Sequence, residues 1–435
     1  MAVDLPLFRL PLPQPLIPTG RGPGRASRVL AQLFGAALLL TLSGCGGVLA
    51  RRPLLLYVAI ATPGDEPITR ELSRTFQTRF QQVVVGFRRL YPQVQVRFSL
   101  YPELLLAQQI RERTLSGLGP DLIVTSADPA IALLHRGLTQ PMPLDQEQRR
   151  AIDPGLQRRV ITPEGQVAAM PLALYTQLAC FDRRRVPQPP ADVRQLLRLS
   201  SDGVRVGMAL QLRSVFWSAG SLGALPAVRA ASEGRPPDAA QRQGLLNWLR
   251  WLQSASVQKD VTFLEEQSTL REGLRSGHFD WVSCSSSDLP LLQRALGGNL
   301  GVSPLPDGET SPASPVNPLR VLALGRDASG ERRRMAIALS RYSLRPLVQR
   351  SLTLENLVFL PVNRHVTVPV QSSRLLESLV AARRQGEGVG ALMSRLHSED
   401  PRLSRLEQVI VSLVFGVIEP ERAQQDILRI LAARR

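Results

Sequence analysis

The sequence predicts an α/β protein built on parallel strands, and three observations carry that prediction. The chain has 435 residues, enough for two cores rather than one. A short continuous apolar run, Leu54 to Ile60, reads as a strand buried on both faces. From there to Gly137 strand and helix patterns alternate, the order that puts helices on the faces of a parallel sheet. Hydrophobic residues at 44% and charged residues at 20% exclude a wholly disordered chain, a collagen-like fibre and a multi-span membrane protein.

Upstream of the first strand the chain reads as a leader, 1–44. Residues 1–20 carry Pro6, Pro11, Pro13, Pro15 and Pro18, too frequent for a regular helix, so this stretch is expected to be disordered or to follow a misplaced start. Arg21, Arg25 and Arg28 then form a basic region before Val29 to Leu42, which is almost purely apolar. At 14 residues that run is too short to cross roughly 30 Å of hydrocarbon and fits the core of a secretory signal. Leu42-Ser43-Gly44-Cys45 follows and resembles the bacterial lipobox. Small residues before the cysteine let the backbone enter a signal peptidase, and the Cys45 thiol would take the lipid that anchors the mature chain. An ordinary signal peptide or an uncleaved anchor is the alternative. Residues 45–53 are then a short linker.

The formal charge is +17, and Lys259 is the single lysine, so the excess is arginine. Such a balance suits a nucleic-acid binder or a codon bias. The leader takes Arg9, Arg21, Arg25, Arg28 and Asp4 with it. An exported chain does not meet the genome, so nucleic acid is not an expected partner.

In the mature chain, Thr62-Pro63-Gly64-Asp65 ends the first strand and Pro67 suits a first helical turn. Leu72, Phe76, Phe80, Val83, Phe87 and Leu90 recur every three or four residues as one helical stripe, closed by Tyr91-Pro92. Val94, Val96, Phe98 and Leu100 alternate as a second strand, and Glu103 to Ser116 reads as a helix. Leu122 to Val124 is a third strand. Asp128-Pro129 reads as a cap with a first-turn proline, and Gly137 as the left-handed stop of that helix.

These residues also carry a family resemblance. Tyr91-Pro92 before Val94-x-Val96, Gly117-Leu118-Gly119-Pro120-Asp121 opening a strand, and Gly137-Leu138 after the next helix resemble the first lobe of family 1, the maltose-binding-like solute-binding proteins of ABC importers. Leu172 to Phe181 resembles that family's hinge strand, Phe263 to Val282 its helix-glycine-strand unit, Val302 to Gly308 the return crossing, and Leu360-Pro361-Val362 the last crossing. Met335 to Ser351 resembles the helix between them. Pro189-Pro190 with Asp192 and Leu196 resembles the loop and helix after the hinge, but the usual Thr-Trp pair is missing.

The resemblance implies a two-lobed periplasmic-binding-protein fold, each lobe a sheet flanked by helices, joined by crossing hinge strands. Lobe I would be 54–172 plus 313–358, and lobe II 173–305 plus 362–435. It implies a monomeric, lipid-anchored receptor on the periplasmic face of a bacterial membrane, with no enzymatic activity and no cofactor. Such a receptor closes on a small polar solute, a sugar or sugar derivative first, and hands it to ABC permease subunits.

Ligands of open parallel sheets bind beyond the carboxyl ends of strands, where helix N-termini offer free N–H groups. That rule nominates Thr62, Asp65, Thr125, Asp128, Tyr175, Gln177, Trp217 and Trp281. Asp128 reads first as a helix cap, and Asp121 as structural. Tyr175 could offer a ring and a hydroxyl to a sugar, and Trp281 holds the position where the family often displays an aromatic. Trp248 and Trp251 fall in a helical leucine stripe and read as packing. Only 12 Phe, 5 Tyr and 4 Trp are present, which weakens a stacking-based sugar site. An anionic ligand such as a sugar phosphate would suit Arg213 or Arg320.

No HExxH, GxSxG or P-loop pattern occurs, and the four histidines have no metal-ligand spacing. Cys180 and Cys284 fall in or beside strands, where buried free thiols are common, and a disulfide would need them to face one another. Two rival readings stand beside the receptor. One is a degenerate binding protein serving as a sensor or assembly lipoprotein. The other is a basic peripheral protein on anionic lipid or cell-wall polymer.

Overall fold

The computed structural model describes residues 53–62, 68–396 and 400–433. Cys45 and Asp65 lie outside the described residues. Two sheets organise the rest. Strands β1 (Leu54–Thr62), β2 (Val94–Pro102), β3 (Leu122–Ser126), β4 (Thr139–Gln140), β5 (Met170–Leu174) and β11 (Leu319–Gly325) form the first. Strands β6 (Gln177–Asp182), β7 (Val206–Ala209), β8 (Val261–Leu264), β9 (Trp281–Ser285) and β10 (Leu300–Ser303) form the second.

The first sheet runs β2-β1-β3-β11-β4, with β5 also on β11. β1 lies parallel to both β2 and β3, so Thr62, Pro102 and Ser126 end at one edge. β11 is antiparallel to β3 and brings Arg320 back to that edge, opposite Ser126. The apolar stripe read from the sequence is the helix Arg70–Leu90, which turns Phe76, Val83 and Phe87 into the core. Gly137 has φ 66°, the left-handed stop that the pattern requires.

The second sheet runs β10-β6-β9-β7-β8. Side chains of β6 alternate in the way a strand dictates. Leu178 and Cys180 join the apolar core that continues from the first sheet, whereas Ala179 and Phe181 join a separate core under the second. The helices Ala239–Ser256, Pro401–Val414 and Pro420–Ala432 close that second core with Trp248, Leu252, Leu406, Ile410 and Ile427.

Three crossings link the sheets and are hydrogen-bonded to one another. β5 passes into β6 through Tyr175 and Thr176, residues 304–318 return from β10 to β11, and the chain crosses again at Leu360. Leu174 and Leu360 exchange backbone bonds of 2.8 and 3.0 Å, and Tyr175 donates to the Pro318 carbonyl at 2.9 Å. The mixed α/β fold with two flanked sheets is the architecture expected from the sequence.

Three details differ from the reading of the sequence. Ser126, not Asp128, is the N-cap of helix Ala127–His135, which starts two residues earlier than expected and places Asp128 in its first turn. The single helix expected over Met335 to Ser351 is two, Gly330–Ser343 and Pro346–Asn356, because Pro346 cannot continue a helix. Cys180 and Cys284 are not free thiols. They lie diagonally across the β6–β9 pair and form a disulfide with Cα atoms 5.8 Å apart.

Candidate functional site

The carboxyl edge of the first sheet is occupied by the protein itself. Arg320, 5% exposed, donates to Glu103 Oε1 at 3.0 Å, to Ser126 Oγ at 3.2 Å and to the carbonyls of Ala61 and Val124. Glu103 in turn accepts from Thr125 Oγ1 at 2.9 Å, the Ser126 N–H at 2.9 Å and Ser126 Oγ at 3.1 Å. This network ties β1, β3 and β11 at the position where an open sheet would present its ligand groups. A buried guanidinium and a half-buried carboxylate pair there at 3.0 Å.

The nominated residues separate accordingly. Thr62 is fully buried and donates to the Tyr101 carbonyl. Thr125 holds Glu103. Gln177 is committed to the crossings: its Nε2 donates to the Ser214 carbonyl at 2.6 Å, its Oε1 accepts from Val316 at 3.1 Å, and its N–H donates to Asn317 Oδ1 at 3.0 Å. Tyr175 packs edge-on against Phe359 with centroids 5.7 Å apart and lines an apolar cavity inside the first lobe. Trp217 and Trp281 are fully buried, with ring centroids 6.3 Å apart, in the core under the second sheet. Trp281 opens β9 rather than following it, so its ring points into the core and leaves no face for a ligand. Trp248 and Trp251 are core residues too, as the leucine stripe implies.

Asp128 joins the carboxyl edge of the first sheet to that of the second through its side chain. It sits two residues beyond β3, and Arg213 sits four residues beyond β7 in the short helix Leu212–Val215. Their side chains pair at 2.7 Å, 12% and 30% exposed. Arg213 also donates to the carbonyls of Leu396 at 2.8 Å and Met393 at 3.3 Å, at the end of helix Val389–Arg395. The carboxyl edges of the two sheets therefore meet across a seam closed by this charge pair.

Behind the pair the seam widens into a cavity of about 310 Å³. One wall is the first-lobe helix Pro154–Arg158 with Arg159, and the other is the turn Gly386–Gly388 after helix Arg374–Gln385 together with Gly390 in the first turn of helix Val389–Arg395. Leu174 and Asn317 of the crossings also line it. Arg159 is 8% exposed. Burial pushes its guanidinium down to about 10; Asp128 counters this and Arg213 adds to it. A Cβ on Gly390 would lie 2.9 Å from Arg159 Cδ and Nε, so that close approach needs glycine. Arg383 pairs with Asp153 at 2.9 Å, and the other Asp153 oxygen caps its helix through Gly155 and Leu156.

Sequence reasoning named Arg213 but missed Arg159, Arg383 and the role of Glu103. The glycines at 386, 388 and 390 were the available signal, since alternating glycines mark a tight backbone approach. Arg320 was named as an anion contact and is instead the internal partner of Glu103.

No family model matches the sequence. No curated protein matches it either. Solved structures do match. The GacH receptor of Streptomyces glaucescens, described unliganded and with acarbose, has a TM-score of 0.65 at 16% identity over 88% of this chain and 100% of that one. The maltose-maltodextrin binding protein of Alicyclobacillus acidocaldarius gives 0.63 at 14% identity, over 87% of this chain and 100% of that one. A cyclo/maltodextrin-binding protein in complex with maltotetraose gives 0.62 at 15%, over 86% and 96%. The fold is that of the maltose- and maltodextrin-binding proteins. At such identities the likeness fixes the architecture of the two lobes, and the chemistry of the seam must be read from this chain's own residues.

Proposed function

We propose that the protein is a lipid-anchored solute receptor of an ABC importer, which captures a small polar solute, a sugar or sugar derivative, between its lobes and delivers it to a membrane permease. The observation that carries this reading is the seam: two carboxyl sheet edges, linked by three crossings and tied by Asp128 and Arg213, in the fold of proteins described with bound maltodextrins. The Cys180–Cys284 disulfide supports an exported location, since such bonds persist in oxidising compartments. Lobe I would hold the first sheet and lobe II the second, with the C-terminal helices. Anchoring through Cys45 is tested by labelled palmitate, whose incorporation is expected in the full chain and lost in Cys45→Ala.

Ligand recognition itself is tested by thermal shift over sugars, polyols, phosphate esters and amines. A bound solute at a hundred times its Kd adds roughly 2.7 kcal/mol to stability. A degenerate receptor is the second reading, favoured by the self-satisfied edge of Arg320, Glu103 and Thr125. It predicts no shift with any of them.

A further inference from the structure

We propose that the seam cavity beside Arg159 binds a small hydroxylated oxyanion, a carboxylate or a phosphate, through the Arg159 guanidinium. The inference rests on the receptor reading above and narrows its solute class. Among the described residues, none forms a hydrogen bond to that guanidinium, although Arg159 is only 8% exposed. The carboxylate within its electrostatic reach is Asp128, which already pairs with Arg213 at 2.7 Å. Two arginines thus share one carboxylate. A buried charge without its own partner is costly, and the anionic end of a ligand supplies the missing partner.

The remaining lining explains why the ligand's charge is met by Arg159 and not elsewhere. Arg383 is taken by Asp153, and Asn317 uses its Oδ1 on Gln177 and its Nδ2 on the Ala382 carbonyl at 3.1 Å. Arg158 and Glu387 stand exposed at the rim. Gly390 leaves room for the Arg159 side chain and fixes where its head can sit. A volume of about 310 Å³ is at the low end for ligand pockets, suited to one hydroxylated ring or short chain rather than an oligosaccharide. Because one wall belongs to each lobe, an occupant ties the lobes together.

The test is calorimetry on the mature wild-type protein with matched solutes: a hexuronate against its hexose, a hexose phosphate, and inorganic phosphate. The expected result is that at least one hydroxylated oxyanion binds tenfold or more tighter than the neutral hexose. The carboxylate and phosphate arms tell which oxyanion is preferred. Arg159→Gln is expected to weaken that binding about 10- to 150-fold, the worth of a charged hydrogen bond, while Arg158→Gln changes it less than about fivefold. Should Arg159→Gln not fold, Gly390→Ala, which displaces the Arg159 head, is expected to cost affinity in the same direction. A neutral hexose binding as tightly as the oxyanions overturns the inference and leaves the receptor reading standing. An oxyanion lost with Arg158→Gln but kept with Arg159→Gln overturns the site. No binding by any solute of this set or of the thermal-shift panel overturns both readings.

Discussion

Replacing Asp128 by Asn removes the charge that ties the lobes at the seam while keeping the shape of the side chain. The pair stands at 2.7 Å with its two side chains 12% and 30% exposed. A hydrogen bond between charged groups contributes about 1.5–3 kcal/mol, and partial exposure lowers that to about 1–2 kcal/mol. Arg213 keeps its bonds to Leu396 and Met393, so it stays in place on its own lobe; one tie across the seam is lost, while the Arg383–Asp153 pair at 2.9 Å still spans it. At 1.4 kcal/mol per factor of ten, the closed-to-open ratio falls about 5- to 30-fold. A ligand-free population about nine-tenths closed would drop to between roughly one-quarter and two-thirds closed. Small-angle scattering reads this as a larger radius of gyration in Asp128→Asn. Arg213→Gln should expand the particle similarly, and the double variant should add little to either single one. Scattering unchanged in both single variants, or effects that simply add, would refute the latch.

Three further outcomes test the rest of the structure. Reducing the Cys180–Cys284 bond, which closes a loop of 104 residues, should lower stability to chemical denaturation by about 2–5 kcal/mol; equal midpoints with and without reductant would count against the bond. Asp280 is buried, which alone would raise its carboxyl, but the hydrogen bonds and charge of Arg205 hold it below the usual range. Its contribution is present above the unfolded carboxylate value of about 3.9 and is lost as pH falls through the lower folded value. Asp280→Ala leaves Arg205 half-exposed and able to meet water, so it should cost about 1.5–3 kcal/mol at neutral pH and flatten the acid limb of a stability-against-pH profile; an unchanged limb would show that the pair is not formed. Trp248→Phe, which breaks an indole bond to Ser218 Oγ at 2.9 Å, should cost at least about 1 kcal/mol more than Trp281→Phe, whose N–H has no acceptor among the described residues. Equal losses in urea melts would contradict that difference.

The first lobe is legible in the sequence because its signals are local. Continuous apolar strands, a 3.6-residue stripe and left-handed glycines each specify their element with neighbours only. The seam is not local. Arg159 and Gly390 are separated by more than half the chain, and nothing in an Arg-Arg pair after a short helix tells that one head is buried and the other exposed. Glu103 and Arg320 meet only because β11 returns antiparallel to β3. Asp128 beside a proline looks like a cap, and the true cap, Ser126, is just as plausible from composition. The tryptophans misled for a related reason: position along a strand decides which end a ring occupies, and Trp281 stands at the start of β9 rather than beyond it. Cys180 and Cys284 could be paired only once the β6–β9 register set them on a diagonal.

Hydrogen exchange on the mature protein, with and without a solute that raises its melting temperature, probes capture between the lobes most directly. Protection is expected in three seam segments together: 153–159, 209–214 and 383–391. A stabilising solute that protects a different surface and leaves all three seam segments exchanging as before would contradict closure on a solute at the seam.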